Sequence, residues 1–86
     1  MTAAELITRV AIRNGWSVTN TWQSRHHLVM LYVRTRNGPH ECVEVRYPRD
    51  HPGVHSAHRI VDYSSVEYAG PNTSGRRAAA IRWLKL

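Results

Sequence analysis

Residues 28–33 form the longest apolar run in the sequence, Leu-Val-Met-Leu-Tyr-Val. Successive side chains of a strand point to opposite faces, so a strand here would be apolar on both. Such a strand needs cover on both faces, or neighbours at both edges and a helix above it. The run is too short to cross a membrane, which takes about 20 apolar residues. We therefore expect the central strand of a small sheet.

A helix is predicted at each end of the chain. Thr2 and Glu5 have the spacing of a capping box, and apolar residues then recur at helical intervals, so we predict a helix over 3–14 that ends at Gly15. The Ala-rich segment 75–85 follows several possible N-cap residues and is predicted to be the second helix.

Strands are predicted between the two helices. Residues 16–22 alternate, with Trp16, Val18 and Trp22 on one side, and the segment 40–47 alternates in the same way. Asn37-Gly38 marks a hairpin between 26–35 and 40–47, and 48–53 is a loop. A fourth strand is expected within 58–68.

These elements predict a single α+β domain over residues 1–86, with an antiparallel three- to four-stranded meander and the order α-β-β-β-(β)-α. The two helices would cover one face of the sheet. The other face of 28–33 would be covered either by the segment 48–68 or by a second chain.

The chain is basic, with a net charge of +6 and twelve Lys and Arg residues, of which only Lys85 is a lysine. Such a surface favours nucleic acid, an anionic membrane or an acidic protein. Guanidinium groups suit phosphates and base edges. A GC-rich genome also produces an excess of Arg, so the functional and the genomic explanations both stay open.

The last helix is the first candidate for nucleic-acid binding because its cations have no acidic neighbour in the helix. Its candidates, with two more from the hairpin, are Arg76, Arg77, Arg82, Lys85, Arg34 and Arg36. Positive charge at a helix N-terminus opposes the helix dipole, a cost that a bound phosphate would offset. The alternative is a solvated basic face without a ligand.

Two segments echo a known family. The turn Gly38-Pro39-His40 and the segment Ser74-Gly75-Arg76-Arg77-Ala78-Ala79-Ala80, with the α-β-β-β-α order, resemble double-stranded-RNA-binding domains. The resemblance implies binding of duplex RNA. It departs from the family in that Gly38-Pro39 follows the second predicted strand, whereas the family has this turn after the first, and in having Arg where the family has Lys.

The histidines and the cysteine are the candidates for other chemistry. His51, His55 and His58 have spacings that a helix could use for zinc, but Pro52 and Gly53 argue against a helix there, and a polar His-rich loop is the alternative. Cys42 is expected to be a small buried residue, and the three Trp residues to belong to the core. No nucleophile, phosphate-loop or paired-carboxylate motif is present, so neither an enzyme nor a cofactor is expected. A metal-dependent hydrolase that uses His51, His55 and His58 stays open as a third hypothesis.

Two functions follow from these patterns. The first is a small DNA- or RNA-binding module of a high-GC bacterium or its phage. The second is a protein-interaction module, either a homodimer or a phage-encoded modulator that binds an acidic host protein. With one cysteine and no signal-peptide pattern, a cytoplasmic location away from membranes is expected.

Overall fold

A computed structural model describes residues 1–86, apart from the side chain of Asn20. Two helices flank five strands in the chain. The elements are α1 (Ala3–Arg13), β1 (Ser17–Gln23), β2 (His27–Thr35), β3 (His40–Pro48), β4 (Ser56–Val61), β5 (Ser64–Ala69) and α2 (Arg76–Leu84). The predicted α+β class, with a helix at each end of the chain and an antiparallel meander between them, is confirmed.

The ends of α1 follow from local side chains. The Thr2 hydroxyl accepts from the Glu5 amide at 3.1 Å, and the Glu5 carboxylate accepts from the Thr2 amide at 3.4 Å, which is the predicted capping box. Gly15 follows the helix with a φ of +83°, a left-handed conformation that glycine adopts without strain. The predicted helix 3–14 is confirmed to within one residue.

The five strands pair antiparallel in their sequence order, β1-β2-β3-β4-β5. The apolar strand β2 has β1 at one edge and β3 at the other, as its sequence requires. Asn37 and Gly38 have positive φ values of 42° and 138° in the turn that joins β2 to β3. The Asn-Gly hairpin is therefore confirmed, although β3 rather than β2 is the middle strand.

The fourth strand expected within 58–68 is present as β4, but the region also holds a fifth strand that was not predicted, because it forms the hairpin of β4 and β5. Asp62 and Tyr63 join the two strands with φ values of 49° and 66°. Two consecutive positive φ values are what a type I′ hairpin turn requires. Asp tolerates this conformation but Tyr rarely does, so Asp-Tyr gives no sequence signal for a turn.

The hydrophobic core lies between the helices and one face of the sheet. Ile7 and Ala11 of α1, Leu84 of α2, and Tyr32 and Val43 of the sheet are all fully buried there. The α1 helix packs beside β1 and next to α2, and α2 covers β3 and β4. The segment 48–68 extends the sheet and does not fold over its second face, which the two helices leave uncovered.

Several polar groups in this core are hydrogen-bonded, although the buried Trp83 indole nitrogen has no partner among the described residues. The Tyr32 hydroxyl lies 2.8 Å from the Thr8 hydroxyl and 2.8 Å from the Tyr47 hydroxyl. Burial raises the pKa of both phenols, so both stay protonated. The Trp16 indole donates to the Leu84 carbonyl at 2.8 Å, which joins the start of β1 to the end of α2. These bonds fix how the helices sit on the sheet.

A β-bulge in β1 changes the side on which Trp22 lies. Val18 pairs with Tyr32 on the helix side, but the register shifts between Thr19 and Thr21, and Trp22 then pairs with Val29. The prediction that Trp16, Val18 and Trp22 share one buried side was wrong for this residue. Trp16 is buried, whereas Trp22 is 49% exposed on the opposite face.

None of the described helices is long and apolar enough to cross a bilayer.

Candidate nucleic-acid interface

We call the face of the sheet opposite the helices the open face. Its side chains alternate along each strand with those packed under the helices, and the strand register arranges them in three rows. The rows are Trp22, Val29, Arg46 and Ser56; Thr19, Leu31, Glu44, His58 and Tyr68; and Ser17, Val33, Cys42, Ile60 and Ser65. Within these rows Glu44 is the single acidic side chain.

The first row combines an aromatic ring with a cation. The Arg46 guanidinium carbon lies 6.0 Å from the centroid of the Trp22 ring, and the register places Val29 between the two residues. Val29 has no exposed surface although no helix covers this face. The long side chains of Trp22 and Arg46 therefore cover the apolar strand locally, and Trp22 itself stays about half exposed.

The second row ends in another exposed aromatic residue. Tyr68 is 61% exposed, and its ring meets the His58 ring edge-on with 5.4 Å between centroids. The His58 Nε2 atom lies 2.6 Å from the Ser65 hydroxyl, which holds the imidazole in place. A Cβ atom on Gly70 would come within 2.8 Å of the Tyr68 ring, so the absence of a side chain at this position gives the ring its room.

Trp22 and Tyr68 stand at opposite edges of the sheet because β1 and β5 are its two outer strands. Four inter-strand spacings of about 4.8 Å place them roughly 19 Å apart across the strands. Arg46 and His58 lie between them on β3 and β4. Two aromatic platforms with cationic or cation-capable side chains between them are suited to a short stretch of unpaired nucleotides.

A second group of basic side chains lies beside the first row. The imidazole rings of His27, at the start of β2, and His55, just before β4, are tilted with centroids 4.4 Å apart. Burial, and then the charges of His27, Arg76 and Arg46, lower the pKa of His55 below its usual 6.5. We call His27, Arg46 and His55 the basic corner of the open face.

The six basic residues predicted from the sequence do not form one surface. Arg34 is 8% exposed on the helix side of the sheet, where Nε donates to Glu41 at 2.9 Å and the guanidinium lies 4.2 Å from the centroid of the Trp16 ring. Arg36 lies 3.4 Å from the same carboxylate and donates to the Leu86 carbonyl at 3.3 Å. Both guanidiniums are thus engaged within the fold.

The four cations of α2 separate in a similar way. Arg77, Arg82 and Lys85 are exposed on the helix layer, on the other side of the molecule from the open face. Arg76 donates to the Pro71 carbonyl and is close enough to His55 to lower its pKa. Of the predicted set, Arg76 is the residue that the structure brings next to the basic corner.

The predicted histidine cluster is divided too. His51 lies in the exposed loop after β3, His55 contacts His27, and His58 contacts Ser65. No group of three metal-ligating side chains converges among the described residues. The structure therefore gives these histidines different neighbours, and His55 and His58 belong to the open face.

Sequence reasoning missed Trp22, Tyr68, Arg46 and His27 as site residues. Arg46 could have been found, since the alternation of β3 places its side chain on the face of the sheet opposite to those of Val45 and Tyr47. The position of Trp22 on this face depends on the bulge, and that of Tyr68 depends on the turn at 62–63. The sequence signals neither feature. Cys42 is only partly buried on the same face, where burial and then Glu44 raise the pKa of its thiol.

Comparison of the chain with protein-family models, curated proteins and solved structures finds no match. The resemblance to double-stranded-RNA-binding domains therefore stays a prediction that no relative tests. The structure places the Gly38-Pro39 turn between β2 and β3, and it has five strands where that family's order has three.

Proposed function

We propose that this chain binds single-stranded nucleic acid, RNA or DNA, across the open face of its sheet. The observation on which the proposal depends is the placement of Trp22 and Tyr68. Both aromatic side chains are exposed on the face that the helices leave uncovered, one at each edge, with Arg46 and His58 between them.

Exposed aromatic rings suit unpaired bases because every base has a π-face on which to stack. Loss of one stacking ring typically costs about 1–3 kcal/mol of binding free energy. Packing in the hydrophobic core does not explain the position of these rings. Trp22 and Tyr68 pack under neither helix of the described fold, and both lie outside its buried cluster. Stacking would give affinity without strong sequence preference.

Charge supports the same ligand. The chain has a net charge of +6, and Glu44, the acidic residue of the open face, lies 3.4 Å from the Arg46 Nε atom. Exposed Arg and Lys residues on the helix layer add to the long-range potential that attracts a polyanion. Each phosphate neutralised should make the affinity for a single strand fall with salt, with a logarithmic slope of about −0.7 per contact.

A single strand fits this face better than a duplex. Duplex bases are stacked on one another and present only their edges in the grooves, which proteins enter with a helix or a two-stranded ribbon. A broad sheet face with separated aromatic rings offers stacking to bases that are splayed out. Duplex RNA would instead use the basic start of α2, which carries part of the family resemblance, so the two ligands are distinguished by the layer they contact.

Fluorescence anisotropy tests the proposal. The probes are a labelled single strand and a labelled duplex, each of about 12 nucleotides per strand, at about 50 mM and about 200 mM salt. We expect the single strand to bind more tightly, Trp22→Ala to weaken it about tenfold, and Ile12→Ala, which removes an exposed apolar side chain from α1, to leave it unchanged. Absence of single-strand binding at the lower salt would rule the proposal out.

A second pair of variants separates local contact from general charge. Arg46→Ala and Arg82→Ala each remove one positive charge, the first from the open face and the second from the exposed side of α2. We expect Arg46→Ala to weaken binding the more, since it also removes the guanidinium beside Trp22. Equal losses in the two variants would indicate that only the net charge matters.

A protein-interaction role, as a homodimer or with an acidic partner, is the second candidate, and one feature of the open face favours the homodimer. Its third row is largely apolar and only partly buried, with Val33, Cys42 and Ile60 next to one another across three strands. Contacts with a protein would use this row, whereas stacking uses the first two. Chain self-association measured by sedimentation, together with unchanged mass in the presence of oligonucleotide, would favour this alternative.

A further inference from the structure

We infer that the basic corner is a phosphate subsite that takes up a proton when it is filled, so that strand binding tightens as the pH falls. This inference deepens the proposed function and depends on it. The ligand group is a phosphate oxyanion of the bound strand, either an internal phosphodiester or a terminal phosphate. Its partners are the His27 and His55 imidazoles and the Arg46 guanidinium.

Three strands bring these side chains together. The His55 amide donates to the Arg46 carbonyl at 2.8 Å, which holds His55 beside β3 immediately before β4 begins. The register pairs His27 with Pro48 and Val29 with Arg46, so His27 lies one step beyond the first row. The two imidazoles then meet with 4.4 Å between ring centroids. The subsite therefore lies at the end of the open face next to the row that contains Trp22 and Arg46.

The surroundings of His55 are rich in basic side chains. His27 faces it from β2, Arg46 from β3 and Arg76 from α2, and its Nδ1 atom lies 3.4 Å from the Ser56 hydroxyl. His51, in the loop after β3, lines a neighbouring pocket together with His55 and Arg76. A surface pocket of about 330 Å³ is lined by His55, Arg46 and Ser56 together with Glu44, His58 and Tyr68. Glu44 is the acidic member, and Arg46 already lies 3.4 Å from its carboxylate.

Two closely spaced imidazoles beside two guanidiniums repel one another when all are protonated. The lowered pKa of His55 is the expected result of its burial and of that repulsion, so the free protein keeps this ring neutral near pH 7. A phosphate at the basic corner supplies the missing negative charge and offers an acceptor to an imidazolium N–H. Binding should therefore raise the pKa of His55, and by linkage protonation should strengthen binding.

The size of the effect follows from one linked proton. If phosphate raises the pKa of one imidazole by about one to two units, affinity should increase about tenfold between pH 7.5 and pH 5.5. Protonation of any histidine also raises the net charge, which strengthens binding to a polyanion everywhere on the surface. A matched control must therefore remove a histidine that lies far from the basic corner.

His40 supplies that control. It lies at the opposite end of β3, where its ring stacks on Tyr63 with 5.3 Å between centroids. Anisotropy titrations at about pH 5.5, 6.5 and 7.5 and constant ionic strength would compare the unmodified protein with His55→Gln, His27→Gln and His40→Gln, using a labelled thymidine strand of about 12 nucleotides. Thermal melts of each variant would confirm folding.

We expect the unmodified protein and His40→Gln to show the same gain on acidification, and His55→Gln and His27→Gln to lose most of it. Binding that is equally tight at all three pH values, or an equal gain in all four proteins, would overturn the inference and leave the proposed function standing. No binding at any pH would remove both.

Two further arms complete the test. Strands with a 5′-phosphate and with a 5′-hydroxyl distinguish the source of the oxyanion, since an internal phosphodiester gives both strands the same pH dependence and a terminal phosphate gives it only to the first. An NMR titration of the His55 ring with and without the strand should show its pKa rise on binding. A pKa that stays the same or falls would also overturn the inference.

Discussion

The two faces of this sheet are made from the same five strands and differ in almost everything else. On the helix side, Tyr32, Val43 and Tyr47 are buried and their polar atoms have partners within the fold. On the open face, Trp22 and Tyr68 are exposed, and Arg46 and His58 between them are only partly buried. The first face explains how the chain folds, and the second has features that folding alone does not require.

From this contrast we expect the largest loss of stability when a residue on the helix side is substituted. Tyr32→Ala removes a fully buried ring that contacts the Thr8 and Tyr47 hydroxyls, so we expect it to cost about 3–5 kcal/mol of unfolding free energy. Trp22→Ala removes a ring that is half exposed, and should cost less than about 1.5 kcal/mol. Urea unfolding of both variants measures the difference. Comparable losses would mean that the two faces contribute alike to stability.

The buried ion pair is expected to have the next largest effect. Arg34→Ala would leave the Glu41 carboxylate without its main partner, at a cost of about 3 kcal/mol. The guanidinium of Arg34 also holds the pKa of Glu41 below its usual 4.5. A lowered carboxylate pKa stabilises the fold above the unfolded value and loses that effect as the pH falls through the folded value.

Urea unfolding from about pH 7 down to about pH 3 tests this ion pair. The unmodified protein should lose stability below about pH 4.5, and Arg34→Ala should lose less over the same range because its Glu41 is no longer favoured in the charged form. Oligonucleotide binding at neutral pH should be unchanged in any Arg34 variant that remains folded, since Arg34 lies on the helix side. Weaker binding by a folded variant would contradict that assignment.

The smallest effect should come from Gly70→Ala on the open face. The added Cβ would lie 2.8 Å from the Tyr68 ring, and the ring must move. We expect binding to weaken by about 0.5–1 kcal/mol, less than the loss of a whole stacking ring, with little change in the unfolding temperature. Tyr68→Ala sets the upper limit for this effect. A Gly70→Ala protein that binds as well as the unmodified one would mean that the position of Tyr68 is unimportant.

The helix side could be predicted from the sequence because its signals are periodic and local. The capping box at Thr2 and Glu5, the apolar run 28–33 and the alternation of 40–47 all concern neighbours in the chain. The open face depends on two interruptions of that periodicity. The bulge after Thr19 moves Trp22 to the opposite side, and the turn at Asp62 and Tyr63 creates the strand that presents Tyr68.

The basic residues proposed as phosphate ligands also show what the sequence pattern alone does not predict. Arg34 and Arg77 are equally plausible phosphate ligands in the sequence, yet Arg34 lies buried against Glu41 and Arg77 is exposed on the helix layer. A count of basic residues predicts a polyanionic partner, because the long-range potential depends on total charge. It does not predict which arginines face the ligand, because that depends on the sheet register and on pairings between distant segments.

An NMR titration with a single-stranded oligonucleotide tests the central claim most directly. In ¹H–¹⁵N spectra recorded at low salt, we expect the largest shifts at the Trp22 indole, at Arg46 and at the backbone of 66–69, with small shifts along the exposed side of α2. That pattern would place the strand on the open face. The largest shifts at Arg77, Arg82 and Lys85, with the Trp22 indole unmoved, would contradict the account.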